Sequence, residues 1–245
     1  GDVEDALRRI DYLVNEKSNP EWMAKVKKIK KEEQRLEEEA HSRVGGKLPP
    51  KAVFDVINEK KPAGTVIVTD VGQHQMWTAQ YVKFDRTRRF VSSGGLGTMG
   101  FGLGAAIGAR VATGDTTVLI TGDGSFGMNL NELATATSHN IPVIIVLMNN
   151  GVLGMVRQWQ TLFFGERYSN TVLTERKTDF VKLAEAFGAV GMRVFTKEEF
   201  GEAFEKALKL GTTVIIDTII DKDEFVLPML PPGGSMDDII TKVGE

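Results

Sequence analysis

Two short apolar runs, Thr117-Val118-Leu119-Ile120 and Val143-Ile144-Ile145-Val146-Leu147-Met148, constrain the fold of this chain more than any other feature. Both are continuous rather than alternating, and both are rich in β-branched residues. That is the pattern of a strand covered on both faces, as in parallel sheets. Val66-Ile67-Val68 and Thr213-Val214-Ile215-Ile216 repeat it, with weaker candidates near Phe90 and at 190–194. Helical patterns fall between them: 50–60, from about Gln75, a Gly/Ala-rich stretch over 100–112, then 130–138, 152–160, 178–187 and 198–210. Helices alternating with short strands predict right-handed βαβ units. The expected fold is α/β, a doubly wound parallel sheet of about six strands with helices on both faces. No internal repeat or low-complexity tract interrupts it.

A charged helical segment precedes this pattern. Residues 1–44 carry 11 acidic and 10 basic side chains. Trp22, Val26 and Ile29 fall at helical spacing and Leu36 and Ala40 continue the stripe, so one or two charged helices packing a narrow face on the main domain are expected. Gly45-Gly46 followed by Leu48-Pro49-Pro50 marks a break and a new helix start, which divides the chain into residues 1–46 and 47–245. The tail around Pro228 and Pro231-Pro232-Gly233-Gly234 reads as a loop, a flexible cover over a site. The absence of cysteine excludes disulfides and thiolate chemistry. A formal charge of −3 gives no support for nucleic-acid binding, and no apolar run approaches the ~20 residues of a membrane span. No signal-peptide pattern opens the chain, so the cytoplasm is the expected location.

The ends of the two strongest strands carry the chemistry. Asp123 follows the first and Asn150 the second, 27 positions later. Open parallel sheets bind ligands at the carboxyl ends of their strands. Two hard oxygen side chains there suit Mg²⁺, which takes one or two protein oxygens and leaves room for phosphate and water. Gly124 and Ser125 open a helix after Asp123, so their backbone N–H groups could meet a phosphate. The region reads as a site for a metal-bound diphosphate. A competing pattern is Gly95-Leu96-Gly97-Thr98-Met99-Gly100, which fits G-x-G-x-x-G with Asp123 lying 23 positions beyond. A dinucleotide fold uses the same glycines and an acid about 20 residues on. The strand before these glycines, Arg88-Arg89-Phe90-Val91, is short and half charged, and that fold has no need of Asn149-Asn150.

The stretch from Gly122-Asp123-Gly124 to Asn149-Asn150 resembles the thiamine diphosphate motif. Val71-Gly72-Gln73-His74-Gln75-Met76-Trp77, Ser93–Gly100 and Gly154-Met155-Val156-Arg157-Gln158-Trp159-Gln160 are similar to the catalytic subunit of acetohydroxyacid (acetolactate) synthases. The likeness covers about residues 48–232, the diphosphate-binding domain of that family. It implies a thiamine diphosphate-binding fold. It also implies Mg²⁺ held by Asp123, Asn150 and the backbone carbonyl of Val152, with Asn149 structural. Gln73, His74, Gly97, Met99, Gly124, Ser125 and Met155 would contact the cofactor, with Met99 as an apolar wedge beneath it. Trp159 would line the substrate entrance. One departure is Gly104, where the family usually has proline, and looser packing beneath the cofactor is expected there.

The resemblance further implies a transferase of branched-chain amino acid biosynthesis that decarboxylates pyruvate and joins the remainder to a second 2-ketoacid. Its activating glutamate belongs to a pyrimidine-binding domain supplied in cis or in trans, so no residue of this chain is expected to be catalytic in that sense. FAD belongs to a middle domain of the parent enzyme and is not expected to bind here. The chain is then a half-site, inactive alone: a truncation, a proteolytic fragment or the smaller product of a split gene, with residues 1–46 a linker or the end of the middle domain. A homo-oligomer is expected, a regulatory subunit is a further candidate partner, and neither nucleic acid nor membrane is a partner. The alternatives are a fragment of another thiamine diphosphate-dependent decarboxylase, oxidase or carboligase, or a non-catalytic Mg²⁺–diphosphate-binding module.

Overall fold

The computed structural model describes the backbone of residues 1–43 and 47–242, and side chains outside 36–46 and 243–245. The chain divides into two compact units, Gly1–Arg43 and Val44–Glu245. The first holds α1 (Val3–Leu13), capped by Asp2, and α2 (Pro20–Arg43). Both form as the charge pattern suggests, and Trp22, Met23 and Ile29 are exposed. The continuation of the apolar stripe through Leu36 and Ala40, and the Gly45-Gly46 break, lie outside the described residues.

The second unit begins with α3 (Pro50–Lys60), entered through Pro49, whose fixed φ suits a helix start. There follow β1 (Val66–Thr69), α4 (Gln73–Tyr81), β2 (Phe90–Val91), α5 (Phe101–Thr113), β3 (Thr117–Gly122), α6 (Asp123–Phe126) and α7 (Leu133–Ser138). The rest is β4 (Ile144–Asn149), α8 (Gly154–Phe163), α9 (Phe180–Ala186), β5 (Val190–Val194), α10 (Lys197–Leu210) and β6 (Val214–Ile219). All six strands pair in parallel, in the order β2-β1-β3-β4-β6-β5.

Successive strand residues serve opposite faces, and both faces are sealed. Ile67, Val118, Ile120, Val146 and Ile216 join Phe54, Ile57, Trp77, Phe200 and Phe204 from α3, α4 and α10. Val68, Leu119, Ile145, Leu147 and Ile215 join Leu103, Ala106, Leu133, Phe180 and Ala184 from α5, α7 and α9. Burial on both sides is why these strands read as unbroken apolar runs. The chain leaves β1 toward β2 on one side and returns to place β3 on the other. The strand order therefore reverses between β1 and β3, and a crevice opens outside their carboxyl ends.

Three expectations need adjustment. The helix after β1 starts at Gln73 rather than Gln75, because Gly72 provides the turn. Gly104 is exposed, and a Cβ added there meets nothing within 4 Å, so it loosens no packing within this chain. The tail is a tied loop: Met229 and Ile240 exchange two backbone hydrogen bonds of 2.9 Å, and the Met229 side chain is buried.

Candidate functional site

The loops after β1, β3 and β4 emerge side by side from three adjacent strands. Gly122 is in register with Met148, so Asp123 and Asn149 leave the sheet at the same level, one residue before Asn150. Sequence spacing alone places both groups at strand ends. The register adds that these strands are neighbours.

Asp123 opens α6 and is 6% exposed, so it does not lie on an exposed loop end as the turn-like Gly-Asp-Gly suggests. Burial pushes its carboxyl up to about 6, and the charge of Asp217 acts in the same direction. Hydrogen bonds from its own and Gly124's backbone N–H, and the nearby Arg176, counteract only part of this. A carboxylate held in this way favours a cation brought against it. Asn150 is half-buried. Its Oδ1 accepts the N–H of Val152 at 3.2 Å and its Nδ2 donates to Gln73 Oε1 at 3.4 Å. Val152 is buried and bridges antiparallel to Val172. The two ladder bonds there, Leu153 N–H to Thr171 and Leu173 N–H to Gly151, do not use the Val152 carbonyl. Asn149 turns away to donate to Asp217 Oδ1 at 2.8 Å, and Asp217 is also held by Arg193 at 2.8 Å.

His74 is buried, its ring against Gly72 and Gly122, and its Nε2 has no hydrogen-bond partner. Burial drives its pKa down to about 3, against a hydrogen bond to the Asp70 backbone, so the ring is neutral at physiological pH. Gln73 donates both Nε2 hydrogens inside the protein, to Gln158 Oε1 at 3.0 Å and to the Glu224 carbonyl at 2.8 Å. Its backbone begins α4. The Ser125 hydroxyl donates to the Val71 carbonyl at 2.6 Å, tying the loop after β3 to the loop after β1. Gly124 leaves room for its neighbours: a Cβ there would lie 2.6 Å from Leu153 Cδ2, which would have to shift, and the Met99 methyl is 3.8 Å from the same point. Met99, Gly124 and Leu153 are thus gathered at one place. Gly97 sits in the left-handed region with φ +64°, in the loop that carries Met99. Met155 is half-buried in the first turn of α8. Trp159, also half-buried, packs on Phe163 with ring centroids 5.2 Å apart.

Two groups escaped the sequence reading. Asp70 follows β1 as Asp123 follows β3, so the same strand-end rule marks it. Its buried carboxylate accepts the N–H of Gly100 at 2.9 Å and of Val71 at 3.0 Å, which anchors the Met99 loop and the start of α5. Burial raises its pKa, and these bonds oppose the rise. Gln158 lies in the segment that carries the resemblance, but its hydrogen-bonding role has no sequence signal, since its partners are 68 to 85 positions away in the chain.

Asp123, only partly offset by Arg176, and the unpartnered Nε2 of His74 are buried polar groups at the carboxyl ends of central strands, the condition that a charged ligand would relieve. Among the described residues no group of three or more His, Cys, Asp or Glu side chains could hold a metal. A cation here would need non-protein oxygens, which fits Mg²⁺ carrying a diphosphate. No helix of the described residues is long and apolar enough to cross a membrane.

Residues 70–218 match the family described as thiamine pyrophosphate enzyme, C-terminal TPP binding domain. The chain is 48% identical over 188 residues to the acetolactate synthase isozyme 2 large subunit of Escherichia coli, covering 76% of this chain and 34% of that protein. It is 40% identical over 255 residues to the probable acetolactate synthase large subunit of Methanococcus aeolicus, covering 99% of this chain and 42% of that one. Among solved structures, it resembles the thiamine diphosphate-dependent 4-hydroxybenzoylformate decarboxylase of Rhodococcus jostii RHA1. The TM-score is 0.67 at 27% identity, over 74% of this chain and 34% of the other. The chain therefore spans between a third and a half of the length of these relatives.

Proposed function

The chain belongs to the thiamine pyrophosphate enzymes through their C-terminal cofactor-binding domain, and on that premise we propose that it is the diphosphate-holding part of an acetolactate synthase. The reading is carried by Asp123, a buried carboxyl pushed up to about 6 at the carboxyl end of β3, with Asn150 beyond the neighbouring strand. Asp123, the Asn150 oxygen and the Val152 carbonyl would hold Mg²⁺. Gly124 and Ser125, the start of α4 and His74 would surround the diphosphate. Met99 would support the rings from below, Gly97 and Met155 would complete the cradle, and Trp159 would border the substrate entrance.

When bound, thiamine diphosphate supplies the electron sink needed to decarboxylate pyruvate and join the remainder to a second 2-ketoacid. This chain's own contribution is to bind and orient. The buried Asp123 offers its negative charge in a dry site, where a cation gains most from it. Met99 and Leu153, both beside Gly124, would keep that side of the cofactor apolar. The activating carboxyl would come from a pyrimidine-binding domain in cis or in trans, within a homo-oligomer and with a regulatory subunit as a further partner. The chain alone is then inactive. Supplying the remaining portion of an acetolactate synthase in trans should restore acetolactate formation from pyruvate. Turnover by this chain alone, or no recovery with the complement bound, would refute the reading.

A further inference from the structure

A primary amide has two ends of nearly equal size and opposite hydrogen-bonding sense, and only the oxygen can ligate Mg²⁺. A ligating Asn150 must therefore be held the right way round. We infer that Gln158 and Gln73 form an amide relay, anchored on the backbone of residues 224–226, that fixes which end of the Asn150 carboxamide faces the cation site. This rests on the functional reading above for the identity of the cation site, and on the hydrogen bonds alone for the relay.

The polarity is set at the backbone, where donor and acceptor cannot be exchanged. The Val226 N–H donates to Gln158 Oε1 at 2.8 Å, and Gln158 Nε2 donates to the Val226 carbonyl at 2.9 Å. A backbone N–H only donates and a carbonyl only accepts, so Gln158 has one orientation. Its Oε1 also receives Gln73 Nε2 at 3.0 Å, and the same Nε2 gives its second hydrogen to the Glu224 carbonyl at 2.8 Å. Gln73 Oε1 is thereby directed at Asn150, whose Nδ2 donates to it at 3.4 Å. The Asn150 oxygen is left on the other side, against the Val152 N–H.

Reversing Asn150 would set oxygen against oxygen at Gln73 and N–H against N–H at Val152. Gln73 and Gln158 are 4% and 2% exposed, so water cannot re-satisfy either amide. Gly154 keeps the passage open: a Cβ there would lie 2.0 Å from Gln73 Oε1 and 2.8 Å from Asn150 Nδ2. The Gln73 side chain, with both amide hydrogens used inside the protein, is a positioning group, and it links the loop after β6 to the loop after β4.

The test titrates thiamine diphosphate into the full 245-residue chain across a MgCl₂ series by calorimetry, which separates metal half-saturation from cofactor affinity at saturating metal. Gln158→Met removes the relay at nearly constant volume. It should raise the MgCl₂ needed for half-saturation by about tenfold or more, with cofactor affinity at saturating MgCl₂ within about threefold of wild type. A Gln158→Met variant that binds Mg²⁺ as wild type does, or one that loses cofactor affinity at saturating MgCl₂ as much as it loses metal affinity, overturns the relay. Should Gln158→Met fail to fold, NMR of the wild-type chain decides: slow exchange of the Gln73 and Gln158 side-chain NH₂ protons supports the relay, and fast exchange overturns it. Absence of Mg²⁺-dependent binding in wild type would instead overturn the functional reading, and with it the metal role of Asn150.

Discussion

Replacing Asp123 by asparagine should stabilise the metal-free protein while damaging its site. The carboxyl is lifted from its ordinary 3.8 to about 6, chiefly by burial. At about 1.4 kcal/mol per tenfold change in proton affinity, keeping it ionised costs the fold about 3 kcal/mol at pH 8. Asparagine removes the charge and keeps one acceptor, but turns an NH₂ toward the backbone donors, which returns about 1 kcal/mol. The net gain is about 2 kcal/mol, or roughly 4–8 °C in Tm for a chain of this size. The sign follows from the raised folded-state value. The folded protein binds more protons than the unfolded chain between about pH 4 and 6, so this contribution falls as pH rises through that window and is fully lost above it. The advantage of the variant should therefore be present at pH 8 and small near pH 4, where the folded wild type holds Asp123 protonated. Urea unfolding with chelator at both pH values measures it. An Asp123→Asn variant no more stable than wild type at pH 8, or one with equal gains at both pH values, would refute the reasoning.

Three further outcomes follow from other positions. Asp70→Ala leaves the Gly100 and Val71 N–H groups without their acceptor and should cost about 2–3 kcal/mol in urea unfolding; a loss under about 0.5 kcal/mol would contradict its anchoring role. Gly104→Ala, at an exposed helical position open to a Cβ, should stabilise by up to about 1 kcal/mol, and a destabilised variant would show that the position is strained. Glu224, one of whose oxygens is buried without a partner, is raised to about 7 by burial and by Asp221. Its ionisation thus costs stability as pH rises from about 4.5 through 7. Glu224→Gln should stabilise at pH 8 by at most about 3 kcal/mol and leave stability near pH 4.5 unchanged; the reverse pH dependence would exclude a buried carboxyl there.

The parallel sheet was legible because its strands are buried on both faces: Val118 to Ile120 and Ile144 to Met148 alternate between two cores, so neither face leaves a polar gap in the sequence. The short pair Phe90-Val91 was legible only as a weak run, since its edge position leaves Phe90 exposed. Asp123 and Asn150 stood out because polar residues directly after apolar runs must lie at strand ends. Their different burial did not, because a Gly-Asp-Gly turn looks the same in water or under Leu153. The Gln73–Gln158–Val226 network was invisible for a plainer reason. Hydrogen bonds between residues 68 to 85 positions apart leave no periodicity, and glutamine in a helix ordinarily reads as a solvated surface residue.

The central claim is that Asp123 and Asn150 hold a divalent cation for a diphosphate. Calorimetric titration of thiamine diphosphate into the wild-type chain, with MgCl₂ and with chelator, tests it most directly, using Asp123→Ala as the control. The expected result is saturable binding that requires Mg²⁺ and is lost in Asp123→Ala, because a small ion with strict octahedral demands tolerates the loss of a carboxylate poorly. Binding of equal strength with chelator, or undiminished in Asp123→Ala, would contradict the account.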